Sequence, residues 1–209
     1  MGFSGTFIVV RSDQPVTGLP ALAPLGGECE LQGQRANGWQ VAEISHGSVV
    51  SLSDPRLELT SLPGRGEATL RALMEQTGNP VIATTLCDSD AGHVVGYSPA
   101  GRFGGWLHWE LAVEYYGGVI PWDEDGNSIE DDPGYQARLQ EAANGLEARY
   151  GPAGAAAAPP ALAWAGEAGL RPDAEAVAAV LEAKYVFAEE TFFRLIAALG
   201  VPELNGPGV

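Results

Sequence analysis

Val81-Ile82-Ala83-Thr84-Thr85-Leu86-Cys87, Asp88-Ser89-Asp90-Ala91-Gly92 and His93-Val94-Val95-Gly96-Tyr97 follow one another without a break, and their reading decides the fold class. The first and third runs are rich in β-branched and apolar side chains, which suit a pleated and packed surface. The five residues between them are turn types: Asp and Ser side chains bond nearby backbone N–H groups, and Gly tolerates positive φ. The stretch reads as an antiparallel hairpin, expected to be the central pair of a sheet.

Upstream of the hairpin, Leu70, Leu73, Met74 and Thr77 recur at helical spacing behind a Pro63-Gly64-Arg65-Gly66 turn. Gly78 suits the position just past that helix, and Pro80 prevents its continuation. Further upstream, residues 6–11 and 39–44 read as strands. They are separated by a Pro- and Gly-bearing connection over residues 12–37, either irregular or a short hairpin. His46-Gly47 can turn the chain into another extended run over residues 48–52.

Downstream, residues 106–116 fit two periods. Apolar side chains at 107, 109, 111, 113 and 115 alternate like a strand, whereas 106, 109, 113 and 116 fit a helix. Asp132 before Pro133 makes an N-cap, and Tyr135, Leu139, Ala142, Leu146 and Tyr150 trace one helical stripe behind it. The Ala/Gly/Pro stretch at residues 151–160 reads as a linker. Three shorter helices follow, one through Trp164 that ends at Gly169, one over residues 172–181 and one over residues 187–199. Strands first and helices last is the α+β pattern. We expect a small antiparallel sheet from the N-terminal half, covered by helices. Residues 1–150 would form the core domain, and residues 161–209 a C-terminal helical subdomain packed on it.

The 209 residues carry 27 acidic and 11 basic side chains, a net charge of −16. Most of this field comes from residues 101–209, which hold seventeen carboxylates against six cations. Such a field repels phosphate backbones and anionic lipid surfaces, so neither nucleic acid nor membrane is expected as a partner. No apolar run approaches the length that spans a bilayer, and the first residues lack a basic and hydrophobic leader pattern. A cytoplasmic location is expected. Cys29 and Cys87 form no CxxC pair and read as reduced, half-buried thiols. Ten Arg against one Lys, with abundant Ala and Gly, suggests a GC-rich bacterial coding sequence.

The densest charged group is Asp123-Glu124-Asp125-Gly126-Asn127-Ser128-Ile129-Glu130-Asp131-Asp132. Six carboxylates in ten residues repel one another unless water, a cation or a basic partner screens them. A calcium loop would need oxygen ligands at fixed offsets. With Gly126 at the sixth position Pro121 falls at the first, and with Asp123 at the first Gly134 falls where a bidentate Glu belongs. Both registers fail, and no metal or cofactor is expected. The run reads first as a solvated loop that caps the following helix, and next as a surface for a basic protein. Trp106, Trp109, Tyr115, Tyr116 and Trp122 lead into it, so an aromatic–acidic junction is a candidate contact for an Arg-bearing partner.

Other motifs fail their chemistry. Gly96-Tyr97-Ser98-Pro99-Ala100 has the outline of a nucleophile elbow, but Pro99 has no N–H to serve an oxyanion. Gly64-Arg65-Gly66 lacks the Lys-Ser/Thr of a P-loop. His108-Trp109-Glu110 lacks the Pro-Cys-x-x-Cys partner of zinc deaminases. Asp88, Asp90 and His93 remain weak catalytic candidates, with His108 and Glu110 as further contributors, although a plain turn explains Asp88 and Asp90 as well.

Two functions from different classes follow. The first is a cofactor-free, non-enzymatic acidic protein of the immunity or antitoxin-inhibitor kind, meeting a basic partner through Trp122, Asp123, Glu124, Asp125, Glu130, Asp131 and Asp132. The alternative is a small-molecule-binding protein or enzyme with its site around residues 88–93.

Overall fold

A computed structural model describes residues 2–23, 29–34, 36–45, 65–123 and 125–203. The run expected over residues 48–52, His46 and Glu124 lie outside the described residues. The described residues form six antiparallel strands: β1 (Gly5–Arg11), β2 (Cys29–Gln34), β3 (Trp39–Ser45), β4 (Val81–Cys87), β5 (Ala91–Ser98) and β6 (Gly101–Leu107). Their order is β2-β3-β1-β4-β5-β6. The β4–β5 hairpin forms as expected, but the central pair is β1–β4, because β1 accepts β3 on its other edge. The fold is α+β.

Alternation along each strand builds two faces. One carries Phe7, Val9, Trp39, Val41, Ile82, Leu86, Val94, Phe103 and Leu107. It is covered by α4 (Ala158–Glu167), α5 (Ala174–Glu182) and α6 (Ala188–Ala198), which supply Trp164, Val177, Phe192, Leu195 and Ile196 to one continuous core. The Trp164 indole N–H lies 3.1 Å from both the Val81 and the Tyr97 carbonyl oxygens, which fixes α4 to the strands beneath it.

The opposite face has two covers. Ile8, Val10, Ala42, Ile44, Val81 and Val95 pack under α1 (Arg65–Thr77) through Leu70 and Leu73, and under Val16, Leu19 and Leu22 of the β1–β2 connection. Buried Gln40 fastens that connection: its amide donates to the Ser12 and Gln14 carbonyls, and its oxygen accepts from the Val16 N–H. Over β5 and β6 lie α2 (Trp109–Gly117) and α3 (Pro133–Tyr150), packed on Ala91 and Trp106 through Ala112, Val113, Leu146 and Tyr150.

The ambiguity at residues 106–116 resolves into both alternatives in succession. Trp106 and Leu107 end β6, His108 turns the chain at φ 54°, and α2 begins at Trp109. Strand β6 was not expected, because Gly101, Gly104 and Gly105 give it almost no strand propensity. Gly104 is required by packing: a Cβ there would stand 1.8 Å from the Tyr150 carbonyl oxygen. Its neighbour across that contact is Gly151, at φ 121°, whose own Cβ would meet the Gly104 oxygen at 2.4 Å. Two glycines thus let the end of α3 press against the edge strand.

Residues 151–160, read from composition as a linker, hold a 3-10 turn at Gly154–Ala157 and the first residues of α4. Ala157 and Ala158 are buried in the same core as the sheet. The small side chains there fit a tight approach to Gly105, where a Cβ would lie 3.1 Å from that of Ala157. No helix of the described residues is long and apolar enough to cross a membrane.

Candidate functional site

The β4–β5 turn is tighter than its five turn-type residues suggest. Cys87 pairs with Ala91, the Asp90 N–H donates to the Cys87 carbonyl, and Asp88 and Ser89 both take positive φ, 51° and 62°. Two consecutive left-handed non-glycine residues are costly, so something must hold them. Neighbours on both sides do so. Asp88 Oδ1 accepts from the Gly2 N–H at 2.7 Å, and the Asp88 N–H donates to Ser4 Oγ. Ser89 Oγ accepts from the Phe3 N–H and donates to Glu189 Oε1, while the Ser89 carbonyl accepts from the Ala188 N–H. Asp88 and Ser89 therefore anchor the chain's first described residues and the start of α6.

Asp90 and His93 part company. His93 is fully buried, tilted against Trp106 at 4.6 Å and edge-on to Tyr150, with Nε2 3.3 Å from the Tyr150 carbonyl oxygen. It packs inside an aromatic box and lines none of the described clefts. Asp90 faces outward, where Oδ2 accepts from the Tyr115 hydroxyl at 2.8 Å. That bond, and then burial, push the Tyr115 phenol well above its ordinary range. Burial does the same for Tyr116, whose hydroxyl donates to the Thr85 carbonyl.

Instead of His93, the structure brings His108 to Asp90. His108 Nδ1 lies 2.8 Å from the Asp90 carbonyl oxygen and Nε2 lies 2.7 Å from Thr191 Oγ1. Asp90, His108, Glu110 and Lys184 edge a cleft of about 230 Å³, with Leu111, Tyr185 and Val186 as its apolar part. Lys184 pairs with Glu110 across its mouth, and both side chains are mostly exposed. Of the four polar side chains, each is already bonded within the protein. The arrangement joins the start of α2 to α6, with His108 Nε2 held against the buried Thr191 hydroxyl.

The described residues of the acidic run form a small structured loop between α2 and α3. Trp122 and Ser128 make an isolated antiparallel bridge, and Asp123 and Asn127 are joined by a backbone bond. Asp123 Oδ1 gathers the N–H groups of Asp125 and Asn127 at 2.9 and 2.8 Å, and Asn127 Nδ2 donates to Oδ2 at 3.1 Å. These bonds, led by those from Asn127, hold the Asp123 carboxyl below its ordinary range. Asp132 caps α3, accepting from Gly134 and Tyr135. Asp123 and Asp132 are thus structural, and their oxygens face inward to N–H groups.

Asp125, Glu130 and Asp131 are exposed, and among the described residues none of them joins an ion pair. Two apolar side chains stand in the open beside them: Trp122 is 53% exposed and Ile120 is 69% exposed. The rest of the aromatic stretch turns inward, with Trp106 buried and Trp109 and Tyr116 packed on it at 5.5 and 5.4 Å. The expected junction narrows to Trp122 and the loop, and adds Ile120, which a reading of aromatics alone passed over. Among the described residues no group of three or more His, Cys, Asp or Glu is gathered as a metal site.

No protein-family model, curated protein or solved structure matches this chain.

Proposed function

We propose that the chain is a non-enzymatic binding protein that receives a basic protein partner on the loop between α2 and α3. The observation that carries this reading is the exposure of Trp122 and Ile120 beside Asp125, Glu130 and Asp131, on a loop already fastened by Asp123. A fastened loop avoids much of the ordering cost of association. An exposed Trp offers contact area and a ring face for an Arg, while the carboxylates steer a cationic surface toward it. A small-molecule site at residues 88–93 has less support, because Asp88, Asp90 and His93 are all bonded internally and do not converge.

The test separates the exposed groups from the structural ones. A variant carrying Trp122→Ala, Asp125→Asn, Glu130→Gln and Asp131→Asn leaves Asp123 and Asp132 in place and should fold as the parent does. A partner isolated on the parent chain should associate with the variant about ten-fold more slowly at low salt and lose most of its salt dependence. Unchanged association, in rate and in salt response, would exclude this loop as the contact surface.

A further inference from the structure

At the end of the sheet opposite the Asp88–Ser89 turn, β1 closes with Arg11, paired with Trp39 at the start of β3. The α4–α5 connection and the chain after α6 come to the same place. Together they border an open cleft of about 600 Å³, lined by Arg11, Asn37, Trp39, Leu170, Arg171 and Pro202 among others. Its size is that of a small-molecule pocket. Gly200, at φ 90°, shapes one wall: a Cβ there would lie 3.0–3.2 Å from the Arg171 backbone.

The charge of this cleft is opposite to that of the molecule. In a chain with 27 carboxylates and 11 cations, an arginine has many possible carboxylate partners. Arg71, Lys184 and Arg194 do pair with carboxylates. Arg11 and Arg171 do not pair with any carboxylate among the described residues, and the described lining between them includes no Asp or Glu. Salt confines the general negative field to about 8 Å at physiological ionic strength, so at this cleft the two exposed arginines of its lining outweigh more distant carboxylates. A guanidinium presents donors that match carboxylate and phosphate oxygens in pairs. Asn37 adds an amide, and Trp39 and Leu170 give an apolar wall.

We propose that this cleft binds a small anionic molecule through its carboxylate or phosphate oxygens, held between Arg11 and Arg171. The site is separate from the acidic loop, and neither reading depends on the other. Both arginines are exposed. Ordering two long side chains opposes binding, so an affinity of about 0.1–1 mM is expected for a bare oxyanion.

The test titrates the arginine-labelled protein with inorganic pyrophosphate and, separately, with citrate at constant ionic strength, following the Nε–H signals by NMR. The signals of Arg11 and Arg171 should move together along one saturating curve. Saturation by pyrophosphate alone assigns the natural ligand to phosphates, by citrate alone to carboxylates, and by both to their shared oxyanion chemistry. Arg11→Gln and Arg171→Gln should each weaken binding about ten-fold, and Arg138→Gln, on α3, should leave it unchanged. If Arg11→Gln disturbs the sheet end, Arg171→Gln carries the test, because its residue lies in a connection. Absence of saturation below about 10 mM for both probes, or equal weakening by Arg138→Gln, would overturn the proposal.

Discussion

His108 Nε2 and Thr191 Oγ1 stand 2.7 Å apart, joining the start of α2 to the first turns of α6 across 83 residues of sequence. The direction of the bond follows from the other ring nitrogen. Nδ1 faces the Asp90 carbonyl oxygen, which can only accept, so Nδ1 carries a proton. In the neutral ring Nε2 then accepts from the Thr191 hydroxyl, whose single proton turns to this nitrogen at 2.7 Å rather than to the Phe187 carbonyl at 3.2 Å. Thr191→Val keeps the shape and removes the donor, leaving a buried nitrogen unsatisfied. We expect a loss of about 1–3 kcal/mol in urea unfolding; an unchanged midpoint would show that this bond does not fasten α6.

Two glycines should respond with opposite signs. Gly104→Ala places a methyl 1.8 Å from the Tyr150 carbonyl oxygen, with backbone on both sides of the contact, and should cost about 3 kcal/mol or more. Gly145 lies inside α3 with no heavy atom within 4 Å of its added Cβ. Gly145→Ala should stabilise by about 0.5–1 kcal/mol. Thermal melts of the two variants decide the matter, and a destabilised Gly145→Ala would contradict the open surface there.

Asp132→Ala should cost about 1 kcal/mol, because two N–H groups at the start of α3 lose their acceptor. Asp132→Asn keeps an oxygen and should recover most of the loss. Equal destabilisation by Ala and Asn would point to the charge at the helix terminus as the larger effect.

Acid should release the loop around Asp123 late. Its carboxyl is held below 3.8 by the Asn127 and Asp125 N–H groups. A folded pKa below the unfolded one contributes order that is present above the unfolded value and is lost as pH falls through the lowered one. The Asn127 amide signal should therefore hold its position down to about pH 4 and shift only below it. A midpoint above 3.8 would contradict the hydrogen bonding described here.

Burial pushes the Cys29 thiol up to about 11, from an ordinary 9.0. At pH 8 the thiolate fraction should fall about a hundred-fold, and alkylation should slow in proportion. Labelling in the native state at the rate of a free thiol would show that β2 opens readily.

Much of the fold was legible because local signals agreed with one another. The β4–β5 run, the stripe from Tyr135 to Tyr150 and the cap at Asp132 each carry their own periodicity or hydrogen-bonding chemistry. Strand β6 was not legible, since Gly104 and Gly105 are chosen by what approaches them from 46 or more residues away in sequence. The candidate sites show the same division. The crowding of acids at residues 123–132 is visible in order, whereas the difference between structural Asp123 and exposed Asp125 needs the loop's own bonds. Arg11 and Arg171 are 160 residues apart, and no local pattern announces that they share a cleft.

Strand order sets a timetable for the emerging chain. Strand β1, with Phe7, Ile8, Val9 and Val10, has no partner adjacent in sequence: its neighbours are β3 and β4, the latter complete only at Cys87. During synthesis this apolar segment waits for some eighty residues to leave the ribosome before both of its edges can be covered. Such non-local pairing is slow and leaves sticky edges exposed meanwhile. Whatever shields these edges in the interval favours correct pairing, and translation pauses before Cys87 would lengthen that period of risk.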